Sequence, residues 1–184
     1  MRKIVVSEGI SLDGVFDAQT MGQWAQPFYS EERDEVIRDI VLASDGLLLG
    51  RRSYDIQAYW WPNQKGDKYG IADWKNQIPK YVVTSTPLTA RWNNSKIISG
   101  NVVDEIARLK QQPGKDILIE GSATLIQSLA QAGLVNTYRI MIHPVIVGGG
   151  KRFFQEGMGL SKLDLVESKC LSKGVVLLSY EVVS

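Results

Sequence analysis

Short apolar runs alternate with helix-like segments through most of the 184-residue chain, and this alternation limits the folds that it can adopt. An apolar strand, a helix and a second apolar strand in succession are typical of parallel strands joined by crossover helices. The pattern predicts a three-layer α/β/α fold with a mostly parallel central sheet. The predicted strands cover residues 3–7, 46–49, 81–84, 96–99 and 116–119, and the predicted helices cover residues 30–43, 52–58, 102–111 and 122–131.

The pattern of apolar residues changes after Gly133, because no helical period separates the last two strand-like runs. The three C-terminal runs cover residues 138–147, 163–171 and 175–183. We predict a hairpin through Ser172-Lys173-Gly174, where glycine supplies the positive φ of a tight loop. An antiparallel C-terminal edge therefore closes the predicted sheet. Two segments are predicted to be irregular, at residues 8–29 and 59–70.

The formal net charge is +1, from 21 lysine and arginine residues and 20 aspartate and glutamate residues. No long-range field therefore attracts nucleic acid or an anionic membrane, and a small molecule is the expected partner. With one cysteine and one histidine, an internal disulfide and a four-ligand zinc site are excluded. No apolar stretch approaches the ~20 residues that cross a bilayer. We therefore expect a cytoplasmic protein with one domain over residues 1–184.

Three of the predicted strands end in turns whose composition suits an anion. Gly50-Arg51-Arg52-Ser53 and Gly121-Ser122-Ala123-Thr124 lead from a strand into a helix, and Thr84-Ser85 follows the strand between them. Helix N-termini present unpaired N–H groups, and ligands of open α/β sheets bind beyond the carboxyl ends of the strands. One such turn alone is more often an N-cap, but three together favour a phosphate site. The sequence contains no P-loop and no G-x-S-x-G nucleophile motif.

Five motifs in a fixed order carry a resemblance to a known family. They are Ser11-Leu12-Asp13-Gly14 and residues 48–55, 82–85, 119–125 and 144–154. Each motif alone is weakly specific, whereas their order spans nearly the whole chain. The sequence resembles the dihydrofolate-reductase-like family, most closely the reductase domain of bacterial riboflavin biosynthesis and its stand-alone relatives.

The resemblance implies a reductase that uses NADPH. By analogy, the turns that start at Gly50 and Gly121 cradle the pyrophosphate, and Thr84 and Ser85 with a nearby arginine meet the adenosine 2′-phosphate. Many members have two glycines where this chain has Gly121-Ser122, so the serine hydroxyl adds a hydrogen-bond donor there. The implied cofactor-binding residues are Asp13, Gly14, Gly50, Arg51, Arg52, Ser53, Thr84, Ser85, Gly121, Ser122, Ala123 and Thr124.

Two ionisable residues are candidates for the proton donor. Folate reductases carry a carboxylate on the first helix, and Asp34 lies at about the corresponding distance before Gly50. Arg33 lies nearer the centre of the apolar stripe, however, so the helix geometry favours Asp34 as a solvated surface residue. His143 precedes Pro144 in an apolar strand and is more typical of a core or strand-end histidine, with proton donation as the alternative.

The resemblance also suggests where a substrate would bind. Ser11 borders the nicotinamide by analogy. Trp24 is a candidate for stacking on a planar heterocycle, although aromatic residues in long loops more often pack against the core. Gly149 and Lys151 belong to a glycine-rich loop that either binds a substrate phosphate or serves as a flexible turn.

The sequence leaves three functions open. The favoured one is an NADPH-dependent reductase that transfers hydride to a C=N or C=O bond of a small heterocyclic substrate, similar to 5-amino-6-(5-phosphoribosylamino)uracil reductase. Dihydrofolate reduction depends on Asp34, and the lack of a clear proton donor favours a non-catalytic nucleotide-binding or interaction module. A homodimer through the C-terminal strands is expected from the resemblance and from the need to cover a sheet edge.

Overall fold

A sheet with helices on both faces organises the structure. The computed structural model describes residues 1–17, 19–89 and 91–183. The strands there are β1 (Ile4–Ser11), β2 (Ser44–Gly50), β3 (Lys80–Val83), β4 (Ser95–Ile98), β5 (Asp116–Ile119), β6 (Thr137–His143), β7 (Leu163–Cys170) and β8 (Val176–Val182). The α-helices there are α1 (Met21–Trp24), α2 (Glu31–Leu42), α3 (Arg51–Trp60), α4 (Ile71–Gln77), α5 (Val102–Gln111) and α6 (Ala123–Gln131).

The strands follow the order β4-β3-β2-β5-β1-β6-β8-β7 in the sheet. Neighbouring strands from β4 to β6 are parallel, and β8 pairs antiparallel with both β6 and β7. This order confirms the predicted mostly parallel sheet with an antiparallel C-terminal edge. The predicted hairpin joins β7 to β8, with Lys173 at φ 61° and Gly174 at φ 79°.

The central strand β5 explains why apolar runs build this sheet. Ile117, Leu118 and Ile119 are fully buried, and successive side chains of a strand point to opposite faces. Ile117 and Ile119 pack in a cluster with residues of α5 and α6, whereas Leu118 packs in a second cluster with residues of α2 and α3. These two apolar clusters, one on each face of the sheet, confirm the predicted three layers.

Strand β1 extends beyond its predicted end. The sequence predicts irregular chain from residue 8, but β1 pairs with β6 as far as Ser11 and α1 also lies in that segment. Ser7, Glu8 and Gly9 interrupt the apolar alternation that marks a strand, so the pattern conceals the second half of β1. Strand β6, in contrast, ends at His143 and not at the predicted residue 147, because Pro144 has no N–H for a ladder hydrogen bond.

Helix α4 is absent from the sequence prediction. Its seven residues are too few to display a clear amphipathic period. The Asp67 side chain accepts hydrogen bonds from the amides of Ile71 at 3.0 Å and Ala72 at 2.7 Å, which starts the helix. Within residues 1–17, 19–89 and 91–183, no helix combines the length and the apolar character that a bilayer span requires.

Candidate active site

Two glycine turns meet at the carboxyl end of the sheet, one after β2 and one after β5. Gly50 is the N-cap of α3, and a Cβ atom added to it would lie 2.7 Å from Ser122 Oγ. The Gly121–Ser122 peptide bond is cis, and Gly121 has φ +67°. A Cβ atom on Gly121 would collide with the Ser53 side chain. The two turns therefore pack against each other without room for a side chain at either glycine.

The helices that begin at these turns direct their N-termini to the same place. Helix α3 has no side-chain cap, whereas Ser122 Oγ accepts a hydrogen bond from Leu125 N at the start of α6. Neither helix carries an acidic residue in its first turn, where Ala123 is buried and Thr124 is exposed. Unpaired N–H groups and two uncompensated dipole ends make this junction of helix N-termini suitable for an anion.

The two arginines in the first turn of α3 have different contacts. Arg51 pairs with Asp55 at 2.8 Å and donates hydrogen bonds to Thr86 Oγ1 and Pro87 O, each at 2.8 Å. Arg51 therefore fastens the loop after β3 to α3. Arg52 is exposed, and it has no hydrogen bond or ion pair within the part of the chain that the structure describes.

The loop after β3 thus lies beside the junction of helix N-termini. Thr84 Oγ1 accepts a hydrogen bond from the Thr86 amide at 3.2 Å, which shapes this loop. Ser85 is exposed. Arg51 therefore organises the loop, while Arg52 and Ser85 stay accessible to a ligand.

A cavity of about 450 Å³ opens beside this junction and shares Ser53 and Gly121 with it. Pockets for small molecules commonly have volumes of about 300–1,000 Å³. The apolar and aromatic wall consists of Phe16, Met21, Tyr29, Ile37, Ile56, Trp61 and Met141. The polar side chains that border the cavity include Ser7, Glu8, Arg33, Gln57, Lys75 and Glu120. This combination suits a planar ring with a polar edge.

Glu8 is a half-buried carboxyl group that borders the cavity. Its Oε1 atom accepts a hydrogen bond from the Gly121 amide. Loss of solvation by burial raises the pKa of Glu8 well above its usual value, and the charge of Glu120 raises it further. The Gly121 hydrogen bond and the charge of Lys75 oppose that shift. Glu8 therefore keeps its proton to a higher pH than an exposed glutamate does.

Lys75, from α4, pairs with the second carboxylate of the cavity. Its Nζ atom forms an ion pair with Glu120 and donates to Gln57 Oε1 at 3.1 Å. The same atom lies 4.6 Å from the centre of the Trp61 ring. Only 4% of the Lys75 side chain is exposed, and a buried ammonium needs such partners. The Lys75 ammonium thereby balances the negative charge of Glu120. Glu8, in contrast, has no ion-pair partner among the described residues.

Sequence reasoning missed Glu8, Lys75 and Glu120. Glu8 lies in a segment predicted to be irregular, and Lys75 lies in a helix that was not predicted. One signal was present: Glu8 follows the apolar run at residues 4–6, and Glu120 directly follows the predicted strand at 116–119. A carboxylate that continues a buried parallel strand marks the edge of the sheet where ligands bind.

Asp34 and Arg33 are adjacent in α2 but occupy different surroundings. Arg33 borders the cavity, whereas Asp34 is not among the lining residues and 41% of its side chain is exposed. Arg33 Nη1 donates to Asp34 Oδ1 at 2.9 Å. The structure therefore does not support the family-derived alternative in which Asp34 faces the substrate.

His143 lies in the core at the end of β6. The residue is 1% exposed, and its Nδ1 atom is 3.2 Å from Ile10 O. Trp24 and Phe28 cover its ring, with centroid distances of 5.7 and 6.2 Å. Burial lowers the pKa of His143, which favours the neutral imidazole. His143 and Trp24 both lie outside the cavity lining, so the structure does not bring them to the place predicted for a donor and a stacking residue.

Asp13 joins two loops. It accepts hydrogen bonds from Ser11 Oγ at 2.6 Å, Val147 N at 3.1 Å and Gly148 N at 2.9 Å, and these bonds hold the pKa of its carboxyl below the usual range. Ser11 is fully buried, and its Oγ atom also accepts from Val15 N at 2.8 Å. The Ser11 hydroxyl is thus used within the protein, and the predicted substrate contact has no structural support.

The glycine-rich loop that Asp13 holds is exposed. Gly149 and Lys151 have open surroundings and do not border the cavity, whereas Gly14, at φ +80°, forms the turn beside Asp13. Across the described ranges, no group of three or more histidine, cysteine, aspartate and glutamate side chains is arranged to hold a metal ion.

Comparison with known families agrees with this arrangement. The family model described as the RibD C-terminal domain matches residues 2–177. The chain is 31% identical over 183 residues to the uncharacterised protein YyaP of Bacillus subtilis (strain 168), with 97% of this chain and 94% of that protein covered. The chain belongs to the RibD C-terminal domain family.

Solved structures share the fold at lower sequence identity. One is the crystal structure of a Shewanella sp. PV-4 protein that is provisionally named a riboflavin biosynthesis protein. It has a TM-score of 0.81 and 20% identity, with 99% of both chains covered. Dihydrofolate reductase from Enterococcus faecalis, solved with NADP(H), has a TM-score of 0.66 and 11% identity, with 99% of this chain and 97% of that chain covered. The fold is dihydrofolate-reductase-like, as the sequence predicted.

The raised pKa of Glu8 predicts a pH-dependent stability. A carboxyl group whose pKa is higher in the folded state stabilises the protein fully below its unfolded pKa, and this contribution is lost as pH rises towards the folded pKa. In Glu8→Gln the contribution is absent. Its unfolding free energy, measured with urea from pH 4.5 to 8, should therefore fall less steeply with pH than that of the wild type, by up to about 1.4 kcal/mol per pH unit.

Glu35→Gln provides the matched control, because Glu35 is exposed on α2. It should retain the wild-type dependence of the unfolding free energy on pH. Parallel curves for the wild type and Glu8→Gln would contradict a protonated Glu8.

Proposed function

We propose that this protein is an NADPH-dependent reductase that transfers hydride to a C=N or C=O bond of a small planar heterocycle. The observation that carries the proposal is the junction of two helix N-termini, which opens into an aromatic-walled cavity bordered by Glu8. The junction suits a pyrophosphate, and the cavity suits planar rings held in contact. Membership in the RibD C-terminal domain family supports a reductase.

The fit to NADPH rests on the contacts of the junction. Gly50 and Gly121 are glycines where any Cβ would meet the opposite turn, so the two turns pack closely and bring both helix N-termini together. Arg52 and Ser85 offer an accessible cation and hydroxyl to a 2′-phosphate. We assign Gly50, Ser53, Ser122, Ala123 and Thr124 to the pyrophosphate and Arg52, Thr84 and Ser85 to the 2′-phosphate. When bound, NADPH supplies the hydride.

Glu8 is the residue that we assign to proton supply. Because Glu8 Oε1 accepts from the Gly121 amide, a proton on this carboxyl group resides on Oε2. The charge of Glu120 helps to retain that proton, and the charge of Lys75, which pairs with Glu120, acts in the opposite direction. A group that holds a proton beside a planar substrate is suited to act as a general acid. In this proposal Glu8 takes the role for which Asp34 and His143 were considered.

Two alternatives make different demands on the site. Dihydrofolate reduction of the folate type needs a carboxylate from α2, and the carboxylate of Asp34 is turned to the surface beside Arg33. A non-catalytic nucleotide-binding module needs the junction but not Glu8. The half-buried carboxyl group of Glu8 at the cavity therefore favours turnover over binding alone.

Cofactor preference is the first test of the proposal. NADPH should bind more tightly than NADH, because a charge-assisted contact to the additional phosphate contributes about 1.5–3 kcal/mol. Arg52→Gln should raise the NADPH dissociation constant about tenfold or more and leave that of NADH unchanged, as measured by fluorescence titration. Arg38→Gln, at an arginine of α2 paired with Asp39, is the control. Equal dissociation constants for the two cofactors would refute the assignment.

Turnover tests the role of Glu8. NADPH oxidation should be followed with the riboflavin-pathway aminopyrimidine and with dihydrofolate as candidate substrates. With the active one, Glu8→Gln should lower the rate by about 10²–10⁴, the usual contribution of a positioned general acid, and keep the NADPH dissociation constant. Glu35→Gln should behave as wild type. Tight NADPH binding without oxidation in any assay would support the binding-module alternative.

We also propose that two copies associate through β7. Seven of its eight residues are exposed, and it forms the last strand of the sheet. Leu165 and Val166 are 55% and 63% exposed. An apolar edge strand of this length pairs readily with another strand, and a second copy of β7 gives a symmetric interface.

Light scattering checks this association. Val166→Lys should convert a wild-type dimer into a monomer, because lysine on an edge strand opposes pairing. Val103→Lys, on the partly exposed face of α5, should leave the dimer intact. A wild-type protein that is monomeric at micromolar concentration would rule out the β7 interface.

A further inference from the structure

Arg33 is a cation of the cavity whose only ion-pair partner, within the described residues, is at the surface. Its side chain is 15% exposed, and it pairs at 2.9 Å with Asp34, whose side chain is 41% exposed. Lys75, the other cation that borders the cavity, already has Glu120 as a buried partner. Arg33 therefore carries a positive charge into the cavity wall without an anion inside the cavity to balance it.

The guanidinium of Arg33 is oriented, and one of its edges is free. Its Nη1 atom donates to Asp34, and its Cζ atom lies 4.0 Å from the centre of the Tyr29 ring. Its Nε atom is buried and has no hydrogen-bond partner among the described residues. The Nε and Nη2 atoms thus have no acceptor among the described residues, and Arg33 borders the cavity. The Nε–Nη2 edge of a guanidinium matches the two oxygens of a carboxylate.

The other charges of the cavity favour the same class of ligand. Lys75 and Glu120 cancel each other. Glu8 tends to be neutral, because burial opposes its ionisation. An anionic group on a ligand therefore meets attraction from Arg33 without strong repulsion from the two carboxyl groups nearby.

We propose that Arg33 binds a carboxylate carried on the ring of the planar substrate. The inference rests on the proposed function, because it assigns the cavity to the substrate. The ring would lie against the aromatic wall, which includes Phe16, Tyr29 and Trp61. A neutral ring of the same shape leaves the Nε–Nη2 edge unpaired and binds more weakly, because a buried donor without an acceptor is unfavourable. Arg33 is thus a specificity-determining residue.

Calorimetric titration of the protein without cofactor tests this assignment with two matched pairs of probes. Orotate is compared with uracil, and quinoline-2-carboxylate is compared with quinoline. In at least one pair, the carboxylate should bind about 10–100-fold more tightly than its neutral partner, as expected for charge-assisted hydrogen bonds. This preference should disappear in Arg33→Gln. Arg33→Lys keeps the charge without the two-donor edge and should retain only part of the preference.

Arg38→Gln is the matched control, because Arg38 lies on the same helix and pairs with Asp39 on the exposed face. It should keep the wild-type preference. Equal affinities within both pairs, a preference that survives in Arg33→Gln, or no binding of any probe would each overturn the carboxylate assignment. If Arg33→Gln fails to fold, as judged by its melting temperature, Arg33→Lys carries the comparison.

NADPH titration of the same samples separates this inference from the proposed function. If the wild-type protein binds NADPH but does not prefer the carboxylate probes, the result contradicts the role of Arg33 and leaves the proposed function intact. Protein that prefers the carboxylate probes but does not bind NADPH contradicts the proposed function and leaves the role of Arg33 intact. An unchanged NADPH dissociation constant in Arg33→Gln would localise the effect to the cavity.

Discussion

The hydrogen bond from the Gly121 amide to the Glu8 carboxyl group connects the parts of the candidate site. Glu8 belongs to the central strand β1, and Gly121 belongs to the turn that starts α6. The same turn packs against Ser53 at the start of α3. One carboxyl group therefore fixes the turn of the helix junction and also borders the cavity. The position of the turn and the protonation of Glu8 are coupled, since the Gly121 hydrogen bond opposes the rise in the Glu8 pKa that burial causes.

The parallel half of the sheet was predictable because its strands are buried on both faces. Residues 117–119 form an unbroken apolar run, because their side chains pack against helices on both faces of the sheet. The end of β1 was not predictable by the same reasoning, because Ser7, Glu8 and Gly9, which border the cavity, interrupt the apolar alternation. Gly9 makes room for a buried side chain: a Cβ atom on it would lie 2.9 Å from the buried His143 ring. Sequence pattern therefore fails where polar residues that border the cavity and a close contact with His143 replace apolar alternation.

The same distinction separates the predictable part of the site from the rest. The glycine turns are local in sequence, so their composition was enough to select them. The cavity combines β1, α2, α4 and the end of β5, and its residues become neighbours only through tertiary structure. Lys75 looks like a surface lysine in the sequence, yet its burial follows from the ion pair with Glu120, which is 45 residues away in the chain. No local pattern contains that information.

Two charged residues that the sequence predicted to bind the cofactor, Arg51 and Asp13, instead form hydrogen bonds within the protein. Arg51 donates hydrogen bonds to Asp55 and to the loop after β3. Asp13 accepts hydrogen bonds from Ser11 and from the glycine-rich loop. If these loops bind the anion as proposed, such anchors are needed, because a flexible loop would lose more conformational entropy on binding. Among the described residues, Arg52 at the junction has no hydrogen bond or ion pair, and Arg33 at the cavity has an unpartnered Nε atom. Under the proposed function, these two cations are the ones left for ligands. Under the proposed function, an unmet hydrogen-bonding group on a residue that borders the cavity or the junction is therefore a better guide to ligand contact than membership in a motif.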